Sequence, residues 1–172
     1  MELFFQTLLT LFVLYILLEW ILPWLWYPHL GRHGHPEKLP LELEKLGQEF
    51  NNKAKNDEEF IRLWMDTLKD RYETGHVMQF LHPDRWFETD LEKIWKDYRT
   101  AQLCTIYNYL LECILLNSDR FSREQISHKT GFLNFSMHQY LEIRLKDGKK
   151  LELDLWAYDM GLPFGKAATG FV

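Results

Sequence analysis

The sequence predicts an α+β fold, with helices first, then a small antiparallel sheet, and a single transmembrane helix ahead of both. Three observations predict it. Residues 3–18 carry no charge, residues 41–116 space their apolar side chains as helices do, and beyond residue 119 the apolar period drops to two through Trp156. The chain's 172 residues, 47% of them hydrophobic, are enough for one domain with a real core once a membrane segment is set aside. The expected divisions are an anchor over 1–28, a juxtamembrane linker over 29–40 and one globular domain over 41–172.

The N-terminal stretch has only Gln6, Thr7 and Thr10 among apolar residues before Glu19, and then an aromatic cluster of Trp20, Trp24, Trp26 and Tyr27. A bilayer core needs ~20 residues of helix, and aromatic rings favour the headgroup level. Residues 3–26 are therefore expected to meet lipid in a single pass. A cleaved signal peptide would need a basic n-region and a small-residue cleavage site, and the stretch has neither. Arg32, Lys38 and Lys45 follow the segment while Glu2 and the terminal amine precede it. The positive-inside tendency then places the domain in the cytoplasm, in keeping with free thiols.

The linker "YPHLGRHGHPEKLP" holds two glycines, three prolines and three histidines. His29, His33 and His35 lack a cysteine or carboxylate in register, so they read as a solvated loop and no metal is expected. No cofactor is expected either. The net charge of -5 and the absence of any basic run argue against nucleic acid as a partner. Cys104 and Cys113 lie nine residues apart. On one helix, at ~1.5 Å rise per residue, they are too distant to form a disulfide.

Residues 41–50 read as a helix. A second starts at Asn56, a capping residue with Glu59 three positions on, and continues through Phe60, Leu63, Trp64, Thr67 and Leu68. "ETGHVMQFLHPDRWFE" is irregular, broken by Gly75 and Pro83. Thr89 and Glu92 form a capping-box pattern ahead of a short helix with Ile94 and Trp95. "TAQLCTIYNYLLECILLN" follows, with Thr100 as its expected cap. Its broad apolar face of Leu103, Ile106, Tyr107, Leu110, Leu111 and Ile114 marks the central helix. The tail "AYDMGLPFGKAATGFV" is glycine-rich yet apolar and is expected to pack as an ordered loop, with Tyr158, Gly161 and Gly165 able to wall a cleft.

The segment "MHQYLEIRLKDGKKLELDLW" is a β-hairpin by its alternation. Leu141, Ile143, Leu145, Leu151, Leu153 and Leu155 all have odd numbers. Side chains alternate faces along a strand, so all six share a buried face only if odd residues pair with odd. That requires an odd-length loop, which "KDG" or "DGK" supplies, with Gly148 free to take positive φ. His138, Tyr140, Asp154 and Trp156 then gather on the other face at the hairpin's open end, and His138 comes within reach of Asp154 if the two are opposite or diagonal. Two large aromatics there imply that something covers that end.

A thiolate near the start of a helix is stabilised by the unpaired N–H groups and the dipole. Cys104 is so placed, whereas Cys113 is mid-helix and reads as a small core residue. The order Cys104, His138, Asp154, with gaps of 34 and 16 residues over one helix and two adjacent strands, resembles the transglutaminase-like branch of the papain-like superfamily. "AQLCTIYNYLLECIL" is similar to that family's nucleophile helix, and the hairpin to its histidine strand, turn and aspartate strand. The resemblance covers residues 89–156 and implies a catalytic triad of Cys104, His138 and Asp154. It also implies acyl transfer or hydrolysis on a peptide or glutamine-type amide through a thioester, with a protein or peptide as substrate. The Cys104 backbone N–H is the expected first oxyanion donor and Gln102 the second, with Trp86 or Trp95 as weaker candidates. The expectation is thus a membrane-anchored thiol enzyme. The alternatives are a tethered, non-catalytic interaction module that retains the fold, and a small helical membrane protein whose histidine and aspartate serve the core.

Overall fold

The computed structural model describes residues 2–21, 38–72, 85–97, 103–133 and 136–170, apart from the side chains of residues 19, 20 and 136. The described chain is α+β, with six α-helices and one three-stranded antiparallel sheet. Helix α1 (Glu2–Ile16) runs into a π-helical turn (Leu17–Ile21). Helices α2 (Leu41–Lys53), α3 (Asp57–Arg71), α4 (Leu91–Lys96) and α5 (Cys104–Leu116) follow, then β1 (Ile126–Leu133), β2 (Ser136–Arg144), β3 (Lys150–Leu153) and a short α6 (Leu155–Asp159).

The membrane anchor is corrected. No helix among the described residues is long and apolar enough to cross a membrane. The α-helical run stops at Ile16 after 15 residues, which at 1.5 Å each reaches roughly 22 Å against a hydrocarbon core of about 30 Å. A π-helical turn follows directly over Leu17–Ile21 and lies beside β2. The single-pass assignment falls with it, and so does the cytoplasmic placement argued from the flanking charges. Leu3, Phe4, Phe5, Leu9, Leu11 and Phe12 on α1 are exposed. Residues 22–37, with the histidine cluster at His29, His33 and His35, lie outside the described residues.

Local chemistry explains most helix starts. Asn56 caps α3 by accepting from the Glu59 N–H at 2.8 Å, while the Glu59 carboxylate accepts from the Lys55 N–H at 2.7 Å. For α4 the expected cap moves one residue: Asp90, not Thr89, accepts from the N–H groups of Glu92 and Lys93. Helix α5 starts at Cys104 itself, after Leu103, with no side-chain cap. Thr100, the expected cap, lies outside the described residues.

The core sits between these helices and the odd-numbered face of the sheet. Phe60, Trp64 and Leu68 of α3, Tyr107, Leu110 and Ile114 of α5, and Leu141, Ile143 and Leu153 are all essentially buried in one cluster. The hairpin has the expected parity: Leu141 pairs with Leu153, Glu142 with Glu152, Ile143 with Leu151 and Arg144 with Lys150. The Leu145 N–H and Lys149 carbonyl close the ladder at 2.8 Å, leaving the three-residue loop Lys146, Asp147, Gly148, with Gly148 at φ 87°. Strand β1 adds on the far side of β2, setting Gly131 opposite His138.

Candidate functional site

His138 lies near the start of the central strand, and its place is set by the ladder. Continuing the β2–β3 register past Leu153 puts Asp154 opposite Tyr140, one diagonal step from His138. The His138 Nε2 and the Asp154 Oδ2 are 2.6 Å apart, and both residues are buried, at 4% and 2% exposure. Nε2 is therefore committed to the acid, leaving Nδ1 for a second partner. The Cys104 side chain is the other group that acts on this ring. Burial opposes charge on the ring, but hydrogen bonds to Asp154 and Cys104, together with the negative charge on both, outweigh it. They push the imidazole from its ordinary 6.5 up to about 10.

Asp154 does not continue the strand, as the hairpin pattern had implied through Trp156. It leaves β3 and caps α6, its Oδ1 accepting from the Ala157 N–H at 3.0 Å. Its Oδ2 also accepts from the Ala168 N–H at 3.0 Å. Two main-chain donors and one ring thus fix the carboxylate. Trp156, turned by α6, sets its ring 5.5 Å from the imidazole centroid to centroid and covers it. Neither contribution was assigned to a residue from sequence. A strand-ending Asp followed three residues later by a potential N–H donor is a capping signal, whereas the Ala168 contact has no local signature.

Cys104 is partly exposed at the first position of α5. The first-turn N–H groups of a helix lack intrahelical partners, so the Cys104 N–H faces no competing helical acceptor. Helix α5 is fixed to the histidine strand by Asn108, whose Nδ2 donates to the Gln139 carbonyl at 2.8 Å, one residue from His138. Cys113, two turns further on, differs in environment. It is fully buried, and burial, reinforced by the adjacent Glu112, pushes its thiol up to about 12.

Other expected site residues fall elsewhere. Gln102 lies outside the described residues. The Trp95 indole N–H is committed to the Glu42 carboxylate at 2.6 Å, so it is no oxyanion donor. Trp86 sits half-buried in the turn before α4. Of the tail residues expected to wall a cleft, Tyr158 donates to Asp66 of α3 and packs on Phe164, and Gly165 lies against Leu151. Among the described tail residues, Ala168 reaches the site, through its N–H to Asp154.

No protein-family model matches this chain, and neither a curated protein nor a solved structure matches it.

Proposed function

We infer that the chain is a thiol enzyme of the transglutaminase-like kind, acting on an amide of peptide or glutamine type through a thioester. One observation carries this reading. The His138 ring is hydrogen-bonded to Asp154 through Nε2, and the partly exposed Cys104 acts on the same ring. That is the order of groups required to take a proton from a nucleophile and hold it. The rise of the imidazole to about 10 supports it, since the ring can then keep that proton at neutral pH.

The steps follow from these positions. Cys104 gives its proton to His138 and its sulfur attacks the acyl carbon, forming a C–S bond while the carbonyl π electrons move onto oxygen. The Cys104 N–H stands at the helix start to receive that oxyanion. As the tetrahedral species collapses, the C–N bond breaks and the amine leaves with the proton from His138. Water or a second amine then attacks the thioester, His138 takes the incoming proton, and the sulfur is released. Asp154 keeps the ring's tautomer and balances its charge throughout.

Alkylation tests the reading. Iodoacetamide at neutral pH is expected to label Cys104 far faster than Cys113, and His138→Ala is expected to slow Cys104 by about 10- to 100-fold, since an unassisted thiol is only a few per cent thiolate at pH 7. Equal, slow labelling of the two cysteines would leave the non-catalytic interaction module as the better reading.

A further inference from the structure

The chain after α6 returns to the triad, which no step of the chemistry requires. The Ala168 N–H donates to Asp154 Oδ2 at 3.0 Å, on the same oxygen that holds His138. Two residues on, the Gly170 N–H donates to the Phe132 carbonyl at 2.7 Å, and Gly170 forms a parallel bridge with Leu133 at the end of β1. Between them, Thr169 packs over Gly131, the residue opposite His138. A Cβ at Gly131 would meet the Thr169 methyl at 3.3 Å, so the missing side chain makes room for the segment. Ala167 adds a weaker tie, its N–H donating to Glu152 at 3.3 Å.

What holds this segment is separate from what holds the domain. Ala168 is buried with Leu133 and Ala157 in a small cluster of their own, edged by Trp156 and Leu162, distinct from the main core. Two of those three side chains are single methyl groups, so little apolar area leaves water when the segment docks. Its main-chain ties to Phe132 and Leu133 are confined to the last residues of β1, on the sheet's outer edge. Few apolar contacts and a short ladder place a segment at the low end of local opening free energies.

We propose that residues 167–170 form a latch that completes the Cys104 site: docked, it holds the Asp154 carboxylate against His138, and undocked, it exposes that pair to water and switches the thiol off. The geometry stands on its own; only the consequence for the thiol rests on the enzyme reading. Undocking removes one of two main-chain donors from the carboxylate and opens a pair that is otherwise 4% and 2% exposed. Water then competes for the hydrogen bond to Nε2 that stabilises the charged ring.

The test uses the whole chain and two readouts. In native-state hydrogen exchange, the Ala168 amide is expected to exchange at least 100-fold faster than core sheet amides such as Leu141, yet slower than an unprotected amide. If it exchanges only with the core, the segment is a fixed part of the fold and the latch is overturned. Gly170→Pro is the second probe. Gly170 sits at φ +88°, which proline cannot adopt, and the substitution removes the N–H that binds Phe132. Iodoacetamide labelling of Cys104 is expected to slow about tenfold in this variant, with circular dichroism unchanged. Unchanged labelling with a faster-exchanging Ala168 amide overturns the proposal. If Gly170→Pro fails to fold, the exchange result decides. A wild-type Cys104 as slow as Cys113 overturns the enzyme reading instead, and leaves the exchange measurement intact.

Discussion

Two histidines among the described residues hold a buried carboxylate through Nε2, and they differ in what else surrounds each pair. His138 meets Asp154 at 2.6 Å, and His128 of β1 meets Glu112 of α5 at 2.7 Å. Both acids are almost wholly buried. Glu112, however, also receives Arg123 on its other oxygen, and the His128 Nδ1 is buried without a hydrogen-bond partner among the described residues. Arg123 supplies a positive charge directly on Glu112. Asp154 has the ring as its charged partner, and that ring also interacts with a thiol. A histidine beside a buried carboxylate is therefore not a catalytic signature by itself. The reading here comes from the Cys104 thiol beside the ring, and from that thiol being partly exposed.

The largest expected effect comes from removing each acid in turn. Asp154→Ala strips the ring and two N–H groups of their acceptor and should destabilise the fold by about 3–5 kcal/mol, as breaking a buried pair does. Glu112→Ala should cost less, about 1–3 kcal/mol, because the Arg123 it abandons is 46% exposed and is resolvated. Urea denaturation of the two variants compares them directly, and a costlier Glu112→Ala would reverse the ranking of the pairs.

Reactivity sharpens the contrast next. Asp154→Asn keeps the shape of the carboxylate but not its charge, and should slow alkylation of Cys104 about tenfold, a loss of about 1.4 kcal/mol. Glu112→Gln should leave the rate within about twofold, since its pair does not touch the thiol.

The pH dependence of stability tests the His138 pair in a third way. His138 is raised in the folded chain from 6.5 to about 10, so it binds its proton more tightly than in the unfolded chain. Its contribution is complete below pH 6.5 and declines as pH rises towards 10. His138→Gln should flatten that decline, and denaturation midpoints between pH 6 and 10 measure it.

Legibility in the sequence followed the range of the interaction. The hairpin register was readable because alternation is strict and its six odd-numbered leucine and isoleucine positions tolerate no slip of one residue. The Asn56 cap was readable because donor and acceptor lie within four residues. The anchor was misjudged for the opposite reason: composition counts apolar residues but does not say where the α-helical run ends, and here it ends at Ile16. The Asp90 cap shifted by one residue because Glu88 takes the N–H groups of Thr89 and Asp90, a competition invisible in a pattern.

By itself, then, the amino-acid order determined the α+β class, the central helix, the three-residue turn at Gly148, and the side of the hairpin on which His138 and Asp154 emerge. All of these depend on periodicity or on neighbours a few residues apart. The tertiary structure decided that His138 and Asp154 stand on a diagonal, that Cys104 begins its helix and meets the ring, and that Asp154 is held by Ala168. It also decided that Glu112 takes both His128 and Arg123 as its partners. Those outcomes require distant segments to pack at fixed spacing, and no local rule of backbone geometry or side-chain propensity carries that information.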